Sequence, residues 1–494
     1  MIFFRAQVCR TAVSLVRTCA LVPQSNSGYP ISRSTRPFSD DAAPDFYHES
    51  LTEENNERDD YLELRSKYLQ TVNLGHQVVL VQPFLRNNQP AGNDQLKLEE
   101  SRALVETLNW RVVDSIRIGL NSFKKKELFG EGKLKELEAL IGKDSSITAV
   151  FISMYQLTAP QRISLEARFQ LPVIDRYSLV LQIFHQHART REARLQVALA
   201  EIPYMKNRLN VDYHRDQAAK LSKGNLGENV FDKRRFVLKK LESRLRKQIE
   251  KIREQRVILR RTKQRSKIAT VAVIGYTNAG KTSIIKALTG GADLKPRNQL
   301  FATLDVTAHQ GRLPSSLKCL YLDTVGFISD IPTPLIASFS ATLEDAMEAD
   351  LLLHVRDVSH PDTVNQDRQV MSTLSGLKVS LKRRNLITVG NKIDLVSPDL
   401  IATFKKDDII PVSALQSLGL DYLKRRIEAI LIGVTNRQEY VYRVRTGSEE
   451  HEWLNKHAVV LSATVDDDLN HSKVRVLLTS EDVGKFKAEF MMNW

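Results

Sequence analysis

The sequence predicts a multidomain α/β protein, and three observations support this prediction. The chain has 494 residues, of which 42% are hydrophobic and 26% are charged, a composition typical of folded domains. A chain of this length exceeds one typical domain, so about three or four domains are expected. Short apolar runs alternate with amphipathic segments through most of the chain, as in α/β domains. One long basic segment has the apolar periodicity of a helix.

Composition excludes several classes of protein. The three cysteines, Cys9, Cys19 and Cys319, have no spacing that fits a disulfide scaffold or a four-ligand zinc site. We interpret Cys319 as a small core residue beside a buried strand. No apolar run approaches the roughly 18 residues of a membrane-spanning helix, so no membrane insertion is predicted.

The N-terminal segment has the composition of a targeting peptide. Residues 1–39 contain five arginines and several Ser and Thr, but no lysine and no acidic residue. This composition is typical of mitochondrial transit peptides. We therefore predict a presequence and linker over residues 1–45, with the presequence ending near Arg36 to Ser39, and a location in the mitochondrial matrix. A secretory signal is a weaker alternative, since Arg10 and Arg17 interrupt its apolar core, and an undirected tail is another.

Residues 46–187 are predicted to form a small α/β domain with a mainly parallel sheet. Apolar runs typical of buried strands alternate there with helical segments. The predicted strands span residues 77–81, 112–118 and 147–153, and the predicted helices span residues 98–108, 132–141 and 160–169. His185 and His187 lie at the predicted start of a further helix, and we assign them no acid or base role.

Residues 188–266 are predicted to form a hairpin of two long helices. Between Lys233 and Lys267 there are sixteen Lys or Arg against three Glu, a net charge of +13 out of +14 for the whole chain. The apolar residues that recur here at helical spacing are Leu238, Leu241, Leu245, Ile249 and Ile252. The preceding segment has a matching apolar seam, and a Gly-containing link over residues 223–228 joins the two.

The unmixed charge of the hairpin favours a nucleic-acid partner over a passive solvated face. A rigid cationic face suits a phosphate backbone, where each Lys or Arg contact releases counterions. Phe236 is the only aromatic residue among these cations, so base stacking along a single strand is not indicated. The partner that fits best is folded RNA recognised through its shape and backbone.

A glycine-rich loop follows a buried strand in the next predicted domain, residues 267–435. The strand Val271–Gly275 leads into Gly-Tyr-Thr-Asn-Ala-Gly-Lys-Thr-Ser at residues 275–283, and a helix follows. Backbone N–H groups of such a loop surround a β-phosphate, while Lys281 bridges phosphate oxygens and the Thr282 hydroxyl ligates Mg²⁺. The motif predicts a P-loop domain built on a doubly wound, mostly parallel sheet.

Three further motifs select the nucleotide. Asp323 ends a strand in a DxxG sequence, where it can hold Mg²⁺ through water while the Gly326 N–H senses a γ-phosphate. Asp394 of the NKxD sequence can accept hydrogen bonds from guanine N1–H and the 2-amino group, which adenine does not offer in that arrangement. The Ala414 N–H can donate to guanine O6. Four motifs in this order, each after a strand, predict GTP or GDP with Mg²⁺ as the ligands.

The predicted nucleotide-binding residues follow from these four motifs. Those of the loop are Gly275, Tyr276, Thr277, Asn278, Ala279, Gly280, Lys281, Thr282 and Ser283. Those of the later motifs are Asp323, Thr324, Val325, Gly326, Asn391, Lys392, Asp394, Ser413 and Ala414.

The segments around these motifs resemble the HflX family of GTPases. The resemblance rests on Leu300–Thr307, Asp323–Ile328, Ala349–Val355, Phe129–Lys133 and Leu195–Ala200, and it covers about residues 75–490. It implies a GTP-hydrolysing factor that binds the large ribosomal subunit and its rRNA, with the hairpin near the peptidyl transferase centre. With the presequence, it implies a mitochondrial factor that splits ribosomes or acts in large-subunit maturation, and we expect a monomer.

The resemblance also implies roles for individual residues. Thr303 would be the switch threonine that ligates Mg²⁺ when a γ-phosphate is present, with Thr307 as the second candidate. The implied catalytic residues are Lys281, Thr303 and Gly326, and the implied metal ligands are Thr282, Thr303 and Asp323. We interpret Phe301 as a core residue at a switch hinge.

Two features depart from common patterns. Phe327 stands where many small GTPases have a water-positioning Gln, so slow intrinsic hydrolysis is predicted, with ribosome binding completing the site. The hairpin tip lacks most of the family's Gly-rich sequence, which weakens the prediction of a contact with the peptidyl transferase centre. Because Phe327 is compatible with slow or negligible turnover, a GTP-switched RNA- or protein-binding module with negligible turnover stays open as an alternative. A small-molecule kinase is disfavoured by the guanine-selective motif.

The chain is predicted to end in a small α+β domain over residues 436–494. Its predicted strands lie near residues 441–444, 458–465 and 473–478.

Overall fold

A computed structural model shows three separate β-sheets, each covered by helices. The structure describes residues 61–490 except for residue 62 and residues 66–67, 70–74, 87–92, 220–225, 266–267, 292–293, 295, 297–298, 302, 305, 330–346, 377–384, 405–407 and 467–469. The predicted presequence lies outside the described residues. All described residues belong to one compact unit, Glu53–Trp494. Within them, no helix has both the length and the apolar character needed to cross a bilayer.

The first sheet consists of four parallel strands in the order β2-β1-β3-β4. The strands are β1 (Gln77–Leu85), β2 (Arg111–Leu120), β3 (Ala149–Ile152) and β4 (Val173–Asp175). The helices are α1 (Asn93–Thr107), α2 (Glu131–Gly142), α3 (Ala159–Phe169) and α4 (Arg176–His187). The central strands β1 and β3 are buried on both faces, which explains their continuous apolar runs. The predicted parallel α/β arrangement is confirmed.

Helix α4 begins earlier than the sequence suggested. Asp175 caps it, since its carboxylate accepts a hydrogen bond of 2.9 Å from the Ser178 backbone N–H. His185 and His187 therefore lie in the last turn of this helix, and the prediction that they mark a helix start was wrong. The near-continuous apolar stretch after Asp175 is buried on most sides, so it lacks the amphipathic period that would have revealed the helix.

The hairpin consists of α5 (Arg191–Ala219) and α6 (Leu226–Arg265), which pack against each other. Leu238 and Leu245 of α6 are buried, as are Leu195 and Ile202 of α5. The predicted seam is thus confirmed in its central part, and an ion pair between Lys206 and Glu242 joins the helices beside it. The predicted link was too long, because residues 226–228 already belong to α6, and residues 223–225 lie outside the described residues.

The second sheet has six strands in the order β10-β9-β8-β5-β7-β6. The strands are β5 (Ala269–Gly275), β6 (Thr307–Arg312), β7 (Lys318–Asp323), β8 (Leu351–Asp357), β9 (Leu386–Asn391) and β10 (Ile409–Pro411). The helices are α7 (Lys281–Thr289), α8 (Thr363–Gly376), α9 (Pro398–Phe404) and α10 (Leu420–Val434). Only the β6–β7 pair is antiparallel among these strands. Cys319 is buried in β7, as predicted.

The third sheet is antiparallel, in the order β11-β13-β12. The strands are β11 (Arg437–Arg445), β12 (Val459–Val465) and β13 (His471–Thr479), and the helices are α11 (Glu449–His457) and α12 (Ser480–Phe490). Leu454 and Phe486 of the helices pack on Val474 and Val476 of β13, so the helices cover one face of the sheet. The predicted α+β character of this region is confirmed.

Candidate nucleotide-binding site

The four sequence motifs meet at the carboxyl edge of the second sheet. The glycine-rich loop follows β5, DxxG follows β7, NKxD follows β9, and Ser413 follows β10. Because these four strands are parallel, their carboxyl ends lie on the same edge. That edge is where doubly wound sheets bind ligands.

Two glycines of the loop sit where no side chain fits. Gly275 has φ of +153°, and a Cβ there would lie 2.2 Å from the Val355 carbonyl oxygen. Gly280 has φ of +91°, and a Cβ would lie 2.2 Å from the Asn391 side-chain nitrogen. The first glycine therefore lets the loop leave β5 against β8, and the second lets α7 begin directly beside the NKxD motif.

Lys281 is buried at the start of α7 and faces the loop. Its Nζ donates to the carbonyl oxygens of Tyr276 at 2.8 Å and Gly275 at 3.2 Å. Burial lowers the pKa of Lys281 to about 8, and the nearby Asp323 carboxylate opposes this shift. The ammonium is thus held inside the loop, within reach of any phosphate group that the loop surrounds.

Three side-chain oxygens converge beside the loop. The Thr282 hydroxyl donates to Asp323 Oδ2 at 2.6 Å, and the Thr303 hydroxyl donates to the same oxygen at 3.2 Å. Burial raises the pKa of Asp323, while the bonds from the two threonines and the charge of Lys281 lower it. Thr307 instead lies exposed in β6, with its hydroxyl 2.9 Å from His309 Nε2. Of the two candidate switch threonines, only Thr303 therefore reaches this cluster.

The donor set of this cluster suits Mg²⁺. Asp323 Oδ1 is buried and has no hydrogen-bond partner among the described residues. A buried carboxylate oxygen without a partner is costly, so an unused acceptor beside two hydroxyls indicates a cation site. Mg²⁺ prefers carboxylate, hydroxyl and phosphate oxygens, which are the groups that Asp323, Thr282, Thr303 and a nucleotide would supply.

The segment after DxxG pairs with the loop through its backbone. The Phe327 N–H donates to the Gly275 carbonyl at 3.1 Å, and the Thr277 N–H donates to the Phe327 carbonyl at 2.6 Å. A Cβ on Gly326 would lie 2.7 Å from Thr277 Cγ2 and 3.0 Å from Lys281 Nζ. Gly326 therefore lies against the phosphate loop. The Phe327 ring beside it is buried and offers no hydrogen-bonding group.

The residues predicted to select guanine form a connected set. Asn391 Nδ2 donates to the Ala279 carbonyl at 2.9 Å, and Asn391 Oδ1 accepts from the Ala414 N–H at 3.1 Å. The Ser413 hydroxyl donates to Asp394 Oδ1 at 2.5 Å. Asn391 thus ties the phosphate loop to the segment after β10, while Ser413 orients the Asp394 carboxylate.

Asp357 is a site residue that the sequence analysis missed. It ends β8, and its Oδ2 accepts a hydrogen bond of 2.5 Å from Lys392 Nζ. This ion pair fixes the Lys392 side chain in the NKxD motif. Its position as the last residue of the strand next to β9 was the available indication, since the carboxyl ends of parallel neighbours meet.

A polar network joins the site to the first domain. The Tyr276 hydroxyl donates to Glu100 of α1 at 2.9 Å and accepts from the Ser329 N–H at 2.7 Å. Arg176 of α4 donates to both Glu100, at 2.9 Å, and the Ser329 carbonyl, at 3.0 Å. The phosphate loop and the segment after DxxG are therefore both bonded to residues 100 and 176. No local sequence pattern could reveal contacts of this separation.

The first domain also contacts the segment that carries Thr303. Phe301 is buried, as predicted, and its ring packs edge-on against Phe184 of α4 with centroids 4.7 Å apart. The His187 ring lies 2.9 Å from the Phe301 carbonyl, to which its Nδ1–H can donate. Phe301 has φ of +54°, an uncommon conformation for a bulky residue. The segment that carries Thr303 and the segment after DxxG, which we call the nucleotide-sensing segments, therefore both contact α4.

A P-loop sequence, an oxygen cluster suited to Mg²⁺ and an NKxD carboxylate on a doubly wound sheet are together typical of guanine-nucleotide-binding P-loop proteins. Comparison with known proteins agrees. Family profiles described as "GTP-binding GTPase N-terminal", "GTP-binding GTPase Middle Region" and "50S ribosome-binding GTPase" match residues 95–185, 187–263 and 270–392.

Curated relatives match over most of the chain. GTP-binding protein 6 of Homo sapiens is 42% identical over 80% of this chain and 77% of its own length. The protein of the same name from Xenopus laevis is 36% identical over 91% and 85%. GTPase HflX of Alkalihalophilus pseudofirmus is 37% identical over 68% and 79%. The chain belongs to the HflX family of GTPases, and it binds guanine nucleotides and hydrolyses GTP.

Proposed function

We propose that this chain binds the mitochondrial large ribosomal subunit through its hairpin and uses GTP to dissociate ribosomes or to act in large-subunit maturation. The observation that carries the proposal is the cationic outer face of α6. Lys233, Lys239, Lys247 and Lys251 are all exposed on this helix. The family profile over residues 270–392 is described as a ribosome-binding GTPase, which supports the same partner.

The hairpin is suited to reach into folded RNA. Helix α6 has 40 residues, which corresponds to a length of about 60 Å at 1.5 Å per residue. Its packing against α5 positions the helix backbone, and its lysines project from the exposed surface. Each Lys that contacts a phosphate releases counterions, which favours binding.

The nucleotide site would work through the residues that converge there. Lys281 would exchange its bonds to loop carbonyls for bonds to β- and γ-phosphate oxygens. Thr282, Thr303 and Asp323 would hold Mg²⁺, which neutralises phosphate charge when bound. The Gly326 N–H, already beside Lys281, would donate to the γ-phosphate. Asp394, oriented by Ser413, would bind the guanine edge.

Hydrolysis is proposed to depend on the ribosome. Phe327 has no group that could orient the attacking water, so the isolated chain is expected to turn over slowly. Contact of the hairpin with rRNA would reach the site through Arg176 and Glu100, which are bonded to Ser329 and Tyr276. The ribosome would thereby complete the site by ordering the segment after DxxG.

A second candidate function differs from the first in the role that GTP hydrolysis plays. In this alternative, GTP only stabilises a conformation that binds RNA or protein, and hydrolysis is negligible in the working cycle. The buried, apolar Phe327 is the observation that favours it. Rates measured with and without large subunits separate the two, since only the first proposal requires stimulation.

The test of the proposed partner is cosedimentation of the full chain with mitochondrial large subunits over a salt series, with GTP and GDP compared. A binding mode based on phosphate contacts must weaken steeply with salt. Reversal of Lys239, Lys247 and Lys251 to Glu should lower the affinity and reduce the log–log salt slope by about three. The matched control reverses Lys456, Lys485 and Lys487, which are exposed on α11 and α12. Equal binding by both triple variants would refute the role of the hairpin.

The mitochondrial location is part of the proposal and has its own test. Residues 1–45 fused to a fluorescent protein should direct it to the matrix. Replacement of the five arginines in this segment by glutamine should leave the fusion in the cytosol, because import of such peptides depends on their positive charge.

A further inference from the structure

The outer face of α6 carries one large aromatic side chain. Phe236 is 65% exposed, although the residues around it in the helix are mostly charged. Single exposed apolar residues are common on protein surfaces, so exposure by itself indicates no function. The position of Phe236 on the helix distinguishes it.

Phe236 lies opposite the seam that holds the hairpin together. At about 100° per residue, Leu238 is about 200° away around the helix and Leu245 about 180° away. Both leucines are buried, and their helix packs against α5. The ring therefore points away from α5, and packing within the hairpin does not account for an aromatic residue at this position.

Cations surround the ring on the same face. Lys233, Lys239 and Lys240 are exposed at three or four residues from Phe236, which places their side chains next to it on the helix surface. Lys247 continues the same face about three turns further along the helix. Asp232, four residues before Phe236, is an exposed acidic residue on the same face. The local surface thus consists of an exposed aromatic ring with lysine side chains around it.

This combination matches the chemistry of an unpaired nucleotide. A base has an apolar π-face that stacks on an aromatic ring, and its flanking phosphates bind ammonium groups. A partner protein could bind the ring in an apolar pocket, but such a pocket would not explain the three lysines around the ring. Because only one ring is present, the surface can hold a single base and cannot follow a strand by stacking.

We propose that Phe236 stacks on one unpaired base of the bound RNA, while Lys233, Lys239 and Lys240 bind the phosphates beside that base. The inference rests on the proposed ribosome contact and extends it from backbone recognition to a base. It predicts that the hairpin docks on a loop or bulge of rRNA rather than on a continuous duplex.

The test uses the full chain and two RNA hairpins. One carries a single bulged 2-aminopurine, and the other has the same sequence fully paired. Wild type should bind the bulged RNA about tenfold more tightly and quench the 2-aminopurine fluorescence, since stacking on one base has an effect of this order. F236A should lose both the preference and the quenching, whereas F236W should keep them.

Two controls separate stacking from other effects. Y422A removes an exposed aromatic side chain of α10 and should bind both RNAs like wild type. K239E with K240E should weaken binding to both RNAs by the same factor, because phosphates are common to them. If F236A binds both RNAs like wild type, or weakens both equally, the inference is overturned.

Binding of wild type and F236A to large subunits is also measured, so that failure of this inference can be distinguished from failure of the proposed function. Failure of wild type to bind subunits would overturn the proposed function and this inference with it. Binding of wild type and F236A with equal affinity would overturn the inference alone. Weaker subunit binding by F236A without any change on bulged RNA would also overturn it, because the ring would then contact a ribosomal protein.

Discussion

At the residue scale, we propose that the choice of nucleotide depends on one carboxylate. Asp394 is oriented by Ser413, and as a carboxylate it can only accept hydrogen bonds. Guanine presents two donors to it, N1–H and the 2-amino group. Xanthine presents an oxygen in place of that amino group, which an amide could satisfy.

We therefore expect Asp394→Asn to exchange the base preference. Its affinity for GDP should fall on the order of a hundredfold, since a charge-assisted pair of hydrogen bonds is lost and a donor faces a donor. Its affinity for xanthosine diphosphate should rise above its affinity for GDP. Titration calorimetry with both nucleotides measures this, and an unchanged preference for GDP would show that Asp394 does not bind the base.

A second residue-scale prediction concerns acid stability. His354 in β8 is 1% exposed, and burial lowers its pKa to about 4, with Asp367 opposing the shift. Between pH 6.5 and 4 the unfolded chain binds a proton at this histidine that the folded chain does not. Stability is therefore lost as the pH falls through this window, by about 1.4 kcal/mol per unit for this group.

Replacement of this histidine should remove that dependence. As the pH falls from 7 to 4.5, the free energy of unfolding of wild type should decrease by about 2 kcal/mol more than that of His354→Leu. Urea unfolding at several pH values measures the difference. His457→Leu, at an exposed position of α11, serves as the matched control. Parallel stability curves for wild type and His354→Leu would contradict the expected proton linkage.

At the element scale, the two faces of α6 have different roles. Leu238 is fully buried in the seam, whereas Phe236 lies on the outer face. Leu238→Ala should destabilise the hairpin by about 2 to 4 kcal/mol through lost contacts and a cavity. Phe236→Ala should change stability by less than about 0.5 kcal/mol. Hydrogen exchange of α6 amides reports both effects, and similar protection in the two variants would contradict this division of the helix.

The elements themselves were predictable where a period or a motif defines them. The apolar repeat through Leu238 and Leu245 predicted α6 because one side of that helix faces solvent. The glycine-rich loop predicted β5 and α7 because phosphate binding requires a strand, a turn and a helix at that spacing. The start of helix α4 was not predicted, because this helix is buried on most sides and its sequence shows no amphipathic period.

The residues of the candidate site also fall into two groups, those that the sequence predicts and those that it does not. The residues that we propose to contact the nucleotide stand in local motifs, so they could be predicted from the sequence. Asp357, Glu100 and Arg176 contact those motifs from other strands or another domain, and the Tyr276–Glu100 bond, for example, joins residues 176 positions apart in the sequence. Such contacts follow from the packing of the domains, which no short sequence pattern encodes.

At the scale of the whole molecule, the first domain contacts both nucleotide-sensing segments. Glu100 and Arg176 bind Tyr276 and Ser329, while Phe184 packs on Phe301. Helix α5 of the hairpin follows α4 almost directly in the chain and packs against it. We therefore propose that a rearrangement at a bound γ-phosphate is coupled to the hairpin through these contacts, and such a coupling would act in both directions.

We expect Glu100→Ala to weaken this coupling more than it changes nucleotide affinity, because Glu100 bonds the Tyr276 hydroxyl and not the backbone of the loop. The ratio of large-subunit affinities in GTP and GDP should move several-fold toward one, in line with typical coupling free energies. Cosedimentation with each nucleotide measures the ratio. Glu99→Ala, at an exposed neighbour on α1, is the control. An unchanged ratio in Glu100→Ala would show that this network does not carry the coupling.

The most direct test of the central claim is the steady-state rate of GTP hydrolysis by the full chain, with and without mitochondrial large subunits. We expect slow turnover by the isolated protein, because Phe327 cannot orient water, and a marked increase when subunits are added. The variant with Glu at positions 239, 247 and 251 should keep the slow rate and lose the increase. Fast hydrolysis without subunits, or equal stimulation of wild type and variant, would contradict the claim that the hairpin couples rRNA to the nucleotide site.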